Sequence, residues 1–177
     1  MTRDAPPIAD HLPALRRFAL ALTRDADRAE DLVQEALLRG HERRHSHRRS
    51  GSLKSWLFSI LRNAFIDHRR GRLAEARREG EIANLAPISI DAPQEAVVRL
   101  GQVRVAFLAL PEDQRRALSL IALEGLSYAE AARVADVPIG TLMSRVARAR
   151  AGLRAFEEGA PVARGLRVVG GRDATRG

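Results

Sequence analysis

Residues 126–150 constrain the fold of this chain more than any other stretch. They predict a short helix, a tight turn and a second helix. Ser127 and Glu130 form an S-x-x-E capping box that starts the first helix. Asp136 falls where the chain must reverse, and aspartate tolerates the left-handed backbone better than most side chains. The second helix runs from about Pro138 to Leu153. At 100° per residue, Leu142, Val146, Ala149 and Leu153 share one face and Thr141, Ser144, Arg145 and Arg148 share another. The first set can pack; the second is left to touch something outside. Arginine suits phosphates or guanine edges, and Ser/Thr suit phosphates or bases, so the pair of helices implies a major-groove reader. An amphipathic surface helix in an arginine-rich protein is the alternative.

Charge points the same way. Lys+Arg outnumber Asp+Glu by 30 to 22, a formal net charge of +8, which favours a polyanionic partner. An anionic membrane surface, or the arginine bias of a GC-rich genome, would give the same balance. Lys54 is the only lysine, so the second effect is present and the raw charge carries less weight. There is no cysteine, which excludes disulfides, thiolate metal sites and cysteine catalysis. With only 4% aromatic residues, aliphatic side chains must fill the interior. Residues Met1–Pro7 lack the apolar core of a signal peptide, and no apolar run approaches the ~20 residues of a membrane span. A cytoplasmic chain without membrane insertion, monomeric when free, is expected.

The rest of the chain divides into two helical blocks. In residues 8–72, Leu12, Leu15, Phe18, Ala19 and Leu22 recur at helical spacing. Asp27 and Glu30 offer a cap for a second helix carrying Leu32, Val33, Ala36 and Leu37. A polar loop follows between Gly40 and Ser52. A third helix then sets Leu53, Trp56, Leu57, Ile60, Leu61, Ala64, Phe65 and His68 on one stripe, and Ser59, Arg62, Asn63, Asp67, Arg69 and Arg70 opposite. From 73 to 93 the pattern weakens and two prolines read as an extended linker; continuation of the helix to about Asn84 is the alternative. In residues 94–156, Val97, Leu100, Val103 and Phe107 form a stripe, Pro111 starts a helix with Leu118, Ile121 and Ala122 buried, and Gly125 ends it. Residues 157–177, with their glycines and scattered arginines, read as a flexible tail. The predicted architecture is all-α, two small helical domains joined by a flexible linker.

Four runs carry a resemblance. They are Asp27-Arg28-Ala29-Glu30-Asp31-Leu32-Val33-Gln34-Glu35, Trp56-Leu57-Phe58-Ser59-Ile60-Leu61-Arg62-Asn63, Leu110-Pro111-Glu112-Asp113-Gln114-Arg115, and Gly140 through Arg150. In this order and at these separations the chain resembles the extracytoplasmic-function (group 4) sigma factors of the sigma-70 family, which keep a sigma-2 and a sigma-4 domain. The phrases at 110–114 and 125–128 are similar to those of alphaproteobacterial general-stress sigma factors.

The resemblance implies roles. The helix bearing Asp31, Gln34 and Glu35 would dock on core RNA polymerase. The loop from His45 to Lys54 and the helix after it would handle the −10 element, with Asn63 at a base edge and Arg48, Arg49, Arg62, Arg69 and Arg70 against phosphates. The second block would enter the −35 major groove through Thr141, Ser144, Arg145 and Arg148. The linker would thread toward the polymerase active-site and RNA-exit region. An anti-sigma factor would hold the chain inactive, and in the free state the two blocks could pack together and hide their DNA-binding faces.

Departures are visible too. Asp136 stands where the turn usually has glycine, Met143 where relatives often carry a base, and Ala147 where some carry a larger residue. Trp56 is assigned to the core by its spacing. His41, His45 and His47 lack carboxylates in a fixed arrangement and read as solvated, so no metal and no cofactor is expected. No phosphate-binding glycine loop, nucleophile elbow or zinc-protease motif occurs, and the chain is not expected to be an enzyme. A stand-alone helix-turn-helix regulator remains the competing reading; it would need a ligand pocket or phosphoacceptor in the first block, and neither is visible.

Overall fold

The computed structural model describes residues 8–43, 52–79 and 95–158, with side chains at 8–43, 52–75 and 101–158. Every regular element among them is helical, as expected. A 3₁₀ turn (Ile8–His11) leads into α1 (Leu12–Thr23), followed by α2 (Ala26–Glu42), α3 (Leu53–Glu79), α4 (Glu95–Ala109), α5 (Glu112–Leu118), α6 (Tyr128–Ala135) and α7 (Ile139–Glu157).

Local chemistry explains the boundaries. Arg24 takes the left-handed conformation, φ 58°, and its N–H closes α1 on Leu20 O. Two residues later α2 begins, capped by Asp25 rather than Asp27: the Asp25 carboxylate accepts from Arg28 N at 2.9 Å. Glu30, expected to complete a cap, instead holds Arg16 through two hydrogen bonds. The three helices of the first block bury Leu15, Phe18, Leu32, Val33, Leu57, Phe58 and Leu61, with the Phe18 and Phe58 rings 5.1 Å apart. Trp56 is packed against this core, as its spacing predicted. Gly40 lets α2 approach α3 closely, since a Cβ there would lie 3.1 Å from Leu57 Cδ2. His68, expected on the apolar stripe, is half exposed and pairs with Glu35.

Past residue 72 the helix continues: α3 reaches Glu79, so the start of the expected extended linker is helical. The stretch 80–94, the tail from 159, and Arg48, Arg49, His45 and His47 lie outside the described residues.

The second block packs α7 against α4, α5 and α6. Leu142, Val146 and Ala149 are buried, as their periodicity required, with Leu153 packed against them. The capping box of α6 forms in full, and Asp136 is left-handed at φ 55°. Two expectations fail here. Val103 is 40% exposed, and α4 buries Ala106 and Leu108 instead. Ala122 is exposed while Glu124 is buried, because residues Ser119–Leu123 form a π turn that shifts the register. Gly125 then ends the element at φ +65°.

The two blocks share one core cluster, with α1 on α5 and α3 on α6. The seam is polar where it meets solvent and at one point deep inside. Arg115, 1% exposed, donates to the carbonyls of Ala21 and Leu22 at the end of α1 and to those of Leu108 and Leu110. The last carbonyls of a helix lack intrahelical partners, so a side chain from the second block completes a helix of the first. Burial, and next to it the neighbouring Arg24, lowers the Arg115 pKa to about 10, still charged at neutral pH. Elsewhere on the seam, the fully buried Glu124 carboxylate accepts from Arg17 Nε and Nη2 at 2.9 Å. Lys54 Nζ reaches the Glu124 carbonyl at 2.6 Å and its carboxylate at 3.4 Å.

Candidate nucleic-acid interface

Three helix faces hold the expected site residues. On α7, Ser144 and Arg148 are exposed and linked: Arg148 Nε donates to Ser144 O and Nη2 to Ser144 Oγ, both at 3.3 Å. That pairing holds the guanidinium along the helix. Thr141 is partly exposed one turn earlier, and its carbonyl accepts from Ser144 Oγ. Arg145 is turned away from this face; its Nε lies 3.1 Å from Asp113 at the start of α5. Two apolar residues that the face-by-face reading passed over, Ile139 and Met143, are about half exposed on the first turns of α7.

On α3, the outward row predicted from periodicity is present, but the second block covers part of it. Arg62, whose side chain is only 16% exposed, reaches Asp136 at 3.5 Å and donates to Asn63 Oδ1. Arg69 donates to both carboxylate oxygens of Glu112, at 2.9 and 3.1 Å. Asn63 and Arg70 are exposed. Ser52, at the head of α3, donates to Glu130 of the capping box. Glu112 at the start of α5 and Asp136 at the turn thus supply the counter-charges of Arg69 and Arg62.

On α2, Asp31 and Gln34 are exposed, and so is Leu38, at 66%, one turn beyond Gln34. Nothing in the amphipathic pattern marked Leu38, because the stripe through Leu32 and Ala36 excludes it. Glu35 is engaged internally, paired with Arg39 and His68. Among the described residues no group of acidic and histidine side chains could hold a metal, and no helix is long and apolar enough to cross a membrane.

Residues 8–74 match Sigma-70 region 2, and residues 100–153 match Sigma-70, region 4. The chain is 41% identical over 146 residues to the ECF RNA polymerase sigma factor EcfG of Rhodopseudomonas palustris (strain TIE-1), across 82% of this chain and 80% of that protein. It is 35% identical over 142 residues to the ECF RNA polymerase sigma factor SigM of Bacillus subtilis (strain 168), across 79% and 86%. Among solved structures, the sigma factor RpoE of Bartonella quintana, in complex with the anti-sigma factor NepR, aligns with a TM-score of 0.74 at 38% identity. It covers 85% of this chain and 94% of that one.

Proposed function

Since this chain belongs to the extracytoplasmic-function RNA polymerase sigma factors, we propose a division of its promoter-directing work among three faces. The α2 face of Asp31 and Gln34, extended by Leu38, docks core polymerase, with Glu35 fixing α2 against α3. The α3 face of Arg62, Asn63, Arg69 and Arg70, together with Arg48 and Arg49 of the preceding loop, engages the −10 element. The α7 face of Thr141, Ser144 and Arg148 enters the −35 major groove, joined by Arg145 once it leaves Asp113. The domains behind this division are residues 8–72 and 94–156. The chain itself performs no catalysis, acts in the cytoplasm where its polymerase is, and is governed by an anti-sigma factor, as the Bartonella relative is paired with one.

The observation that carries the reading is the α7 face. Ser144 and Arg148 stand exposed on one side of a helix whose other side, Leu142, Val146 and Ala149, is anchored in the core. The packing of the blocks favours a closed resting form, because Arg62 and Arg69 pair with acids of the second block.

Run-off transcription with purified core polymerase on genomic fragments, mapping start sites, tests the assignment. Arg148→Ala is expected to cut transcription about tenfold on promoters whose −35 element matters, the effect of one lost base contact. A chain that footprints promoters without core polymerase, and never co-elutes with it, would be a stand-alone regulator.

A further inference from the structure

One part of the seam lacks the counter-charges found elsewhere. Between α3 and α5 lies a cleft of about 580 Å³, lined by Arg62, Arg69, Arg70, Arg116, Glu112 and Asp113. Both carboxylates are engaged: Glu112 takes Arg69, and Asp113 takes Arg145 of α7. Arg70 and Arg116 have no ion-pair partner among the described residues. Arg62 Nε, Arg116 Nε and Arg145 Nη1 are buried N–H groups without an acceptor. Burial holds the Arg116 guanidinium below its ordinary range, and Arg62 and Arg145 push it further down, only partly offset by Glu112 and Asp113.

Buried cations are ordinarily paired, because desolvation without a counter-charge is costly. Here a largely buried guanidinium has two like charges beside it and no partner of its own. Four lining arginines against two carboxylates leave the cleft with two positive charges. Guanidinium groups match phosphoryl oxygens bidentately, and the volume falls in the range of small-molecule sites.

We propose that this cleft binds a compact diphosphate anion, free or carried on a nucleotide, at the junction of α3, α5 and α7 in the closed chain. The inference rests on the closed packing and goes beyond the −10 and −35 assignments. Its walls come from both blocks, so the ligand binds only when they are together. By linkage it holds Arg62, Arg69 and Arg70 away from promoter DNA. A cytosolic diphosphate would then set how readily the chain opens.

The test is calorimetric titration of inorganic pyrophosphate into the full chain at fixed ionic strength, with sulfate and GDP in parallel and small-angle scattering of the free chain. Pyrophosphate is expected to bind once per chain, at least tenfold tighter than sulfate. Arg116→Gln and Arg70→Gln should each weaken it at least fivefold, while Arg150→Gln, on an exposed part of α7, leaves it unchanged. GDP binding tighter than pyrophosphate assigns a nucleotide; equal binding assigns the diphosphate group itself. Binding no tighter than sulfate, or an equal loss in Arg150→Gln, overturns the site. A compact chain that takes up no pyrophosphate overturns the site alone, whereas an extended chain overturns the closed packing with it.

Discussion

Two stretches of the seam between the blocks, about 12 Å apart along α3, solve the same problem in opposite ways. At Lys54 the second block presents Glu124, a buried carboxylate whose charge is met by Arg17 and Lys54, while Arg115, reaching α1 one turn beyond Arg17, finds four carbonyls. At Arg62 the same block presents Asp136 at 3.5 Å but also the cations Arg116 and Arg145, with buried N–H groups left over. The first stretch is saturated and pulls the blocks together. The second is held by the Arg62–Asp136 and Arg69–Glu112 pairs but is short of negative charge around Arg116, which weakens it. A seam saturated throughout would be hard to leave; one short of anion at its far end opens more readily without a ligand that supplies the missing charge and is held shut with it.

That contrast can be broken in four places. The largest effect should come from Arg115→Ala, which orphans carbonyls of both blocks. A loss of about 3 kcal/mol in urea unfolding is expected, the cost of several unsatisfied buried acceptors. A loss near zero would mean that water replaces the guanidinium, and the saturated end would lose its meaning. Next, Glu124→Gln removes the buried charge while keeping its shape. The closed form should weaken by about 2 kcal/mol, because Arg17 and Lys54 keep partial solvent access and are not stranded. Small-angle scattering reads this as an increase in radius of gyration.

Arg116→Gln tests the opposite sign at the other end. Removing an uncompensated buried cation should stabilise the closed form by about 1 kcal/mol in the absence of anion, and a destabilisation would erase the difference between the ends. The smallest effect belongs to the α6 cap. Ser127→Ala should cost about 0.5 kcal/mol near neutral pH. The hydrogen bond from the Ser127 side chain, and then that from its backbone, hold the Glu130 carboxyl below its ordinary value of 4.5. Its contribution is therefore complete above pH 4.5 and is lost as pH falls through the lower folded value. The Ser127→Ala penalty should shrink in acid, as thermal unfolding across pH 3 to 7 would reveal.

Where a feature depends on a few neighbouring residues, the sequence was enough to see it. The capping box at Ser127 and Glu130, the left-handed Asp136 and the break at Gly125 are settled within one turn of chain. So is the buried side of α7, fixed by its period. The cap of α2 was misplaced by two residues because Asp25 and Asp27 are equally good caps, and the left-handed Arg24 just before Asp25 decides between them. The pairing of Arg62 and Arg69 with Asp136 and Glu112 was not legible. It joins residues more than forty positions apart, and acids near helix starts have a sufficient local explanation. On α7 the period was enough to expose Ser144 and Arg148, but Arg145 follows Asp113 rather than its neighbours. Burial of Glu124 had no periodic signal at all, since an α-helical count places Ala122 inside.

The π turn at Ser119–Leu123 is what defeats that count, and it makes reading frame within the protein a heritable variable. Its i→i−5 bond, Glu124 N to Ser119 O at 3.0 Å, accommodates one residue more than an α turn would. Loss of a single codon at exposed Ala122 or Leu123 would restore the ordinary i→i−4 turn and leave the acid above Ser119, still facing Arg17 and Lys54. Straightening the turn without that loss, so that all five residues follow the α period, would swing Glu124 by about 100°, out of reach of Arg17 and Lys54. The extra residue therefore belongs to the latch: a π turn and an α turn one residue shorter both keep Glu124 in the seam, and only an α turn of the present length removes it.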